Sequence, residues 1–316
     1  MRNLSCVVLA LALAAGAHAA DRKNKKDDPN QIGNRDVGKC LNFYSIDREM
    51  AWGKQLADEV ARESKIDDDP ILSEFVNRVG QNLARNSDAK VPFTFRVIDA
   101  DEVNAFALPG GFVFVYTGLV KIASEEDEFA GALAHEIAHV AARHMTCQAS
   151  KAQIAGVLGS IPGGWGGLAV RQAIPMTFLS FSRHDEAEAD YLGVQYMYAA
   201  GYDPTGAVTI FEKLASIEKA KPGAVAKVFS THPMDSERID KAEKEIQAIL
   251  PARPEYVVTT SEYRAVRERL LARDAARKPE SRDGDPVLRR RSAGNQSDDP
   301  AQTGDRPAIQ RRDWIE

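Results

Sequence analysis

The run Ala134-His135-Glu136-Ile137-Ala138-His139 restricts this chain more than any other feature of its 316 residues. Residues four apart on a helix share a face. His135 and His139 therefore point the same way and can both ligate one zinc ion. Glu136 stands beside them and reaches the attacking water, not the metal. The flanking residues are small and uncharged, as a buried helix requires. Two histidines and a glutamate in an apolar helix are costly to bury without partners. The alternative is a pair of helix histidines with no metal. The whole chain has only six histidines, so every further candidate comes from a short list.

The third ligand decides the subclass. A metzincin spacing would need glycine at 142 and histidine at 145, where this chain has Ala142 and Met145. His144 comes one residue early, off the ligand face, and reads as structural. A helix expected over 184–200 offers Glu186 and Asp190 on one face. Glu186 reads as the third ligand. Asp190 reads as the acceptor for the far N–H of one ligand histidine, fixing its tautomer. The alternative for both is a solvated acidic face, while Glu188 and His184 read as surface. Three protein ligands leave one position open, and Glu136 is the expected general base there. His232 lies in Ser230-Thr231-His232-Pro233, and Pro233 keeps it off a regular helix. It has two candidate jobs: donor to the oxyanion, or a fourth ligand that shuts the site. A loop histidine with no role is the remaining alternative. Arg238 reads as a holder of that loop or a helper at the oxyanion.

The rest of the chain frames this motif. Residues 1–19 read as a secretory signal: Arg2, an apolar run from Leu4 to Ala17, and the exit Ala17-His18-Ala19. The run is shorter than the roughly 20 residues of a membrane helix. Residues 20–44 are charged and read as a linker. A helix is expected from Ser45 and another from Pro70, capped by Asp69. Strands are expected at 92–99 and after Gly111, joined through the turn Pro109-Gly110-Gly111. Ser124 then opens the motif helix, expected to reach Cys147. Further helices start after Asp203-Pro204 and at Asp235 or Ser236. Residues 152–170 are apolar but rich in glycine, which favours a mobile hairpin over a span. Residues 251–272 read as a helical extension and 273–316 as a charged, disordered tail. Export leaves Cys40 and Cys147, expected to pair in an oxidising compartment; two separate buried thiols are the alternative.

HEIAHVAARH, SRHDEAEAD, NAFALPGG and THPMDSERI, in this order, resemble the HtpX/Ste-type gluzincin zinc endopeptidases. Within that family the chain is most similar to the exported, soluble BepA-like and Oma-like branch. The resemblance covers Ser45 to Leu250. It implies an α+β, mainly helical zincin catalytic domain with a small β-sheet beside the active site. It implies His135, His139 and Glu186 as ligands of one Zn2+ per chain and Glu136 as base. It implies that Asn104 and Ala105 lie near the cleft as substrate-binding residues. The strand after Gly111 would pair with an extended substrate peptide. The multi-helix membrane domain of the prenyl-protein proteases and the helical repeats of the BepA type are not visible in the sequence.

The expected activity is that of an exported, periplasmic zinc endopeptidase acting on unfolded or misassembled envelope proteins. Its partners would be peptides and proteins, envelope membrane proteins among them. The competing class is a chaperone-like binding factor whose metal site is normally closed. Net charge is −5 with pI ≈ 5.8, which argues against nucleic acid as a partner.

Overall fold

The computed structural model describes residues 28–158, 181–223, 232 and 236–277. The expected signal, most of the glycine-rich segment and the tail beyond Arg277 lie outside these residues. The described part is mainly helical with one small sheet, the expected fold class.

Helix α1 spans Ile46–Glu63, and the Ser45 side chain accepts from the Arg48 N–H. Helix α2 spans Pro70–Arg85, with Asp69 accepting from the Ile71 N–H and Pro70 in the first turn. Both starts follow the signals in the sequence, because a cap side chain satisfies an N–H that no helical carbonyl can reach. The buried stripe of α2, from Leu72 through Phe75, Val76 and Val79 to Leu83, packs into the main core.

Three strands follow: β1 (Thr94–Ile98), β2 (Ala105–Leu108) and β3 (Phe112–Tyr116). Their order is β1-β3-β2, with β3 parallel to β1 and antiparallel to β2. This corrects the expectation that the strand after Gly111 offers an edge to a substrate. That strand is β3, and both its edges are taken. The edge strands are β1, whose outer side residues 65–67 cover, and β2, which the sequence concealed: Ala105-Phe106-Ala107-Leu108 is buried on both faces and shows no alternation. The β2–β3 turn works because Gly110 and Gly111 take φ of +75° and +87°, where a side chain is strained.

Helix α3 (Thr117–Ile122) leads to the motif helix α4 (Glu126–Ala141). Two expectations about α4 are corrected. Ser124 does not cap it; the Ser124 N–H instead donates to Glu128 Oε2 at 2.6 Å. Nor does it reach Cys147. The chain breaks at Arg143, which has φ +57°, and restarts as α5 (His144–Leu158). The first residues of the glycine-rich segment thus continue a helix.

Helix α6 (Arg183–Ala200) opens with a full capping box between Ser182 and Asp185 and closes on Gly201 at φ +91°. Helices α7 (Thr205–Ala220) and α8 (Ser236–Ile249) complete the wall around α4 and α6. Helix α9 (Ser261–Arg277) takes in the first five residues of the expected tail. It belongs to the core: the buried Tyr263 donates to the Ala123 carbonyl at 2.8 Å and packs on Phe75 and Phe129.

The stretch expected to be a linker is, from Asp28 on, a strap across the body. Arg35 is buried and donates to Asp88 at 2.8 Å and to Gln195 at 2.6 Å. Cys40 is joined to Cys147 of α5 by a disulfide, Cα atoms 5.9 Å apart. Asn42 donates to Thr146, and the Phe43 N–H donates to Ser150. Gly38 takes φ +66°, and a Cβ there would lie 1.9 Å from the Ala142 carbonyl oxygen. Only glycine lets the strap come this close to the end of α4.

Candidate metal centre

Helix α4 supplies His135, Glu136 and His139, α6 supplies Glu186 and Asp190, and His232 comes from the segment before α8. All six are buried. Helices α4 and α6 approach closely because Gly193 lies against the backbone of Ala134 and His135.

His135, His139, Glu186 and His232 each offer one donor atom, and these atoms all lie within 4.8 Å of one another. His135 Nε2 is 3.0 Å from His139 Nε2 and 3.2 Å from His232 Nδ1. Glu186 Oε1 is 3.0 Å from His232 Nδ1 and 3.4 Å from His139 Nε2. Imidazoles whose N–H groups point outward present lone pairs inward. Lone pairs this close repel unless a cation lies among them. The donor set therefore fits a metal ion, with nitrogen and carboxylate ligands of the kind zinc takes.

Without an ion, the buried charges pull these groups in opposite directions. Burial disfavours charge on His135, but Asp190 and Glu186 outweigh it and raise its pKa to about 10. Burial holds His139 well below the usual histidine range. Burial also opposes charge on Glu186, but His232, His135 and His139 overcome this and hold it well below the carboxylate range. Glu136 goes the other way: burial raises it, and the opposing pull of His232 and His135 does not cancel that. A carboxylate shifted upward is a better proton acceptor, as a general base needs. Glu136 Oε2 accepts the Ala107 N–H at 2.9 Å, and its Oε1 is 3.2 Å from His232 Nε2. The edge strand β2 thus orients Glu136.

Asp190 Oδ1 lies 2.9 Å from His135 Nδ1, the far nitrogen of that ring. Asn104 and Ala105 line an open recess with His135, Glu136, Phe211 and His232. Asn104 Oδ1 is buried and accepts no hydrogen bond among the described residues.

Three residues count for more here than the sequence suggested. Arg238 is buried, donates twice to Asp190 and lies 2.9 Å from Glu186 Oε2. His144 sits against His139, their Nδ1 atoms 2.9 Å apart. Glu188, expected at the surface, is mostly buried and lies 3.3 Å from His144 Nε2. His184 is exposed, as expected. Phe181 stacks on His139 with ring centroids 4.0 Å apart. No helix among the described residues is long and apolar enough to cross a membrane.

Residues 70–246 match the sequence model of peptidase family M48. The chain is 31% identical to the beta-barrel assembly-enhancing protease of Yersinia pestis over 78% of its own length and 53% of the relative's. It is 38% identical to the mitochondrial metalloendopeptidase OMA1 of Saccharomyces cerevisiae over 45% of this chain and 43% of that protein. It is 29% identical to the metalloprotease LoiP of Escherichia coli over 62% of this chain and 81% of that one. The chain spans about half the length of the assembly-enhancing proteases it matches.

Proposed function

Because the chain belongs to peptidase family M48, we propose that it is an exported, zinc-dependent endopeptidase that cleaves unfolded or misassembled envelope proteins. The observation that carries this reading is the convergence of His135, His139 and Glu186 on one point with Glu136 beside it. His135, His139 and Glu186 would hold the ion. Zinc, when bound, supplies a Lewis acid and lowers the pKa of a coordinated water to about 7. Glu136 takes the proton of the attacking water and returns it to the leaving amine. The Ala107 N–H fixes Glu136 for both transfers.

The substrate lies extended along β2, whose outer edge faces the site. Strand addition supplies main-chain hydrogen bonds that do not depend on sequence, which suits a quality-control protease. Asn104 offers its unpaired oxygen to the same peptide. The names of the assembly-enhancing relatives point to envelope proteins as the substrate class. The expected periplasmic location is compatible with the Cys40–Cys147 bridge.

His232 gives the reading a second part. Its Nδ1 stands among the donor atoms, 3.0 Å from Glu186 Oε1. That position favours a fourth ligand that keeps the site shut over an oxyanion donor. Casein digestion with and without a chelator tests the enzyme. Digestion that continues undiminished after complete metal removal would reject the metallopeptidase reading. His232→Ala is expected to cleave faster than the parent. A loss of about 10²–10³ in kcat with zinc retained would assign His232 to the oxyanion instead.

A further inference from the structure

The two ligand histidines of α4 are supported differently. His135 turns its far nitrogen directly to a carboxylate, Asp190 Oδ1, at 2.9 Å. Among the described residues, no carboxylate meets the far nitrogen of His139. Its Nδ1 meets His144 Nδ1 at 2.9 Å, and His144 Nε2 lies 3.3 Å from Glu188 Oε2. Glu188 Oε1 in turn accepts the Gly38 N–H of the strap at 3.3 Å.

We infer that His144 is a positioning residue for His139, passing the orienting pull of Glu188 through a second imidazole. This rests on the metal reading of the proposed function. A His139 that ligates through Nε2 carries its proton on Nδ1. That N–H donates to His144 Nδ1, which must then be the lone-pair nitrogen. His144 accordingly carries its proton on Nε2 and donates to Glu188. Each tautomer follows from the one before it, and the carboxylate at the far end locks the set. A ligand histidine needs such an acceptor to hold its ring plane and raise its basicity. His144 is the acceptor the geometry offers.

The backbone is built to make this contact. On a continuous helix, a residue five beyond His139 would lie roughly 140° round the axis. The left-handed Arg143, at φ +57°, ends α4 and turns His144 back toward His139. Phe181 covers the His139 ring from the stacking side. His144 itself is 2% exposed, so water cannot take its place.

The test uses the full chain loaded with zinc alone and carrying ¹⁵N-labelled histidines. Long-range ¹⁵N–¹H spectra are expected to show His139 protonated on Nδ1 and His144 protonated on Nε2. A His144 protonated on Nδ1, or on both nitrogens, overturns the proposal whatever any variant does. Zinc affinity, read by competition with a chromogenic chelator, gives the second arm. His144→Phe keeps the ring and removes the acceptor, and it is expected to weaken zinc binding about 10–100-fold. His144→Asn puts an acceptor oxygen where Nδ1 lies and is expected to recover most of that loss. Wild-type affinity in His144→Phe, or equal loss in His144→Asn, overturns the proposal. A parent chain that binds zinc while these arms fail sinks the relay alone; a parent that binds none takes the metal reading down with it.

Discussion

Arg238 lays its guanidinium fork on Asp190, with Nε and Nη2 each 2.7 Å from a carboxylate oxygen. Its third nitrogen, Nη1, is 2.9 Å from Glu186 Oε2. One cation thus holds both acidic groups that α6 brings to the centre. A planar fork does this where a lysine ammonium could not.

Arg238→Met is expected to fill the same space and leave two buried carboxylates short of a partner. Breaking a buried pair costs about 3–5 kcal/mol, read as a fall in chemical-denaturation stability. Zinc affinity should drop as well, by about 10–100-fold, as for other groups that orient metal ligands. Wild-type stability and affinity in this variant would contradict the assignment.

Glu136→Gln should bind one zinc per chain, like the parent, and lose proteolysis. The amide keeps an oxygen for the Ala107 N–H but cannot accept a proton from water. Elemental analysis beside a peptide-cleavage assay separates the two effects. Cleavage at the parental rate would remove Glu136 from the chemistry.

The Cys40–Cys147 bridge closes a long loop, with a sequence separation of 107. Loss of a bridge of this kind typically costs about 2–5 kcal/mol. Cys40→Ala should lower the thermal midpoint accordingly. Alkylation of the denatured, unreduced protein should leave both cysteines unlabelled.

Asp127 gives a pH-dependent expectation away from the metal. Burial raises its carboxyl to about 7, and Asp203, Glu128 and Glu125 add to this. The folded state therefore holds a proton that the unfolded chain, near 3.8, releases. Between these values the native state binds more protons than the unfolded one, so this residue's contribution to stability falls as pH rises. Asp127→Asn should flatten that fall and raise the thermal midpoint above pH 7. Melting curves from pH 4 to 8 check it.

The parts of the centre legible in the sequence are those set by local spacing. His135 and His139 share a face because they are four apart, and so do Glu186 and Asp190. Ser45 and Asp69 mark helix starts through their own side chains. What stayed hidden depends on distant contacts. Arg143 breaks α4 without glycine or proline; Arg143 is held by Glu49 and the Tyr44 carbonyl, far back in the chain. That break is why His144 looked misplaced and Glu188 looked superficial. Strand β2 hid for a different reason: a strand covered on both faces has no period to read. Arg238 gave no local signal, because its partners lie on another helix.

The strap lies outside the matched family region. The matched family region begins at residue 70, yet Arg35 reaches Gln195 and Cys40 is bonded to Cys147. A fragment trimmed to the matched region would keep every donor atom of the centre and lose the clasp at the end of α4. The cooperative unit is thus larger than the recognisable one. Its strap residues meet partners more than 100 positions away, and contacts of such long range raise the entropic cost of closing the chain. Residues 28–44 thus tie the start of the described chain to its middle, and any cut between strap and body removes a restraint on the end of α4 that the family match does not include.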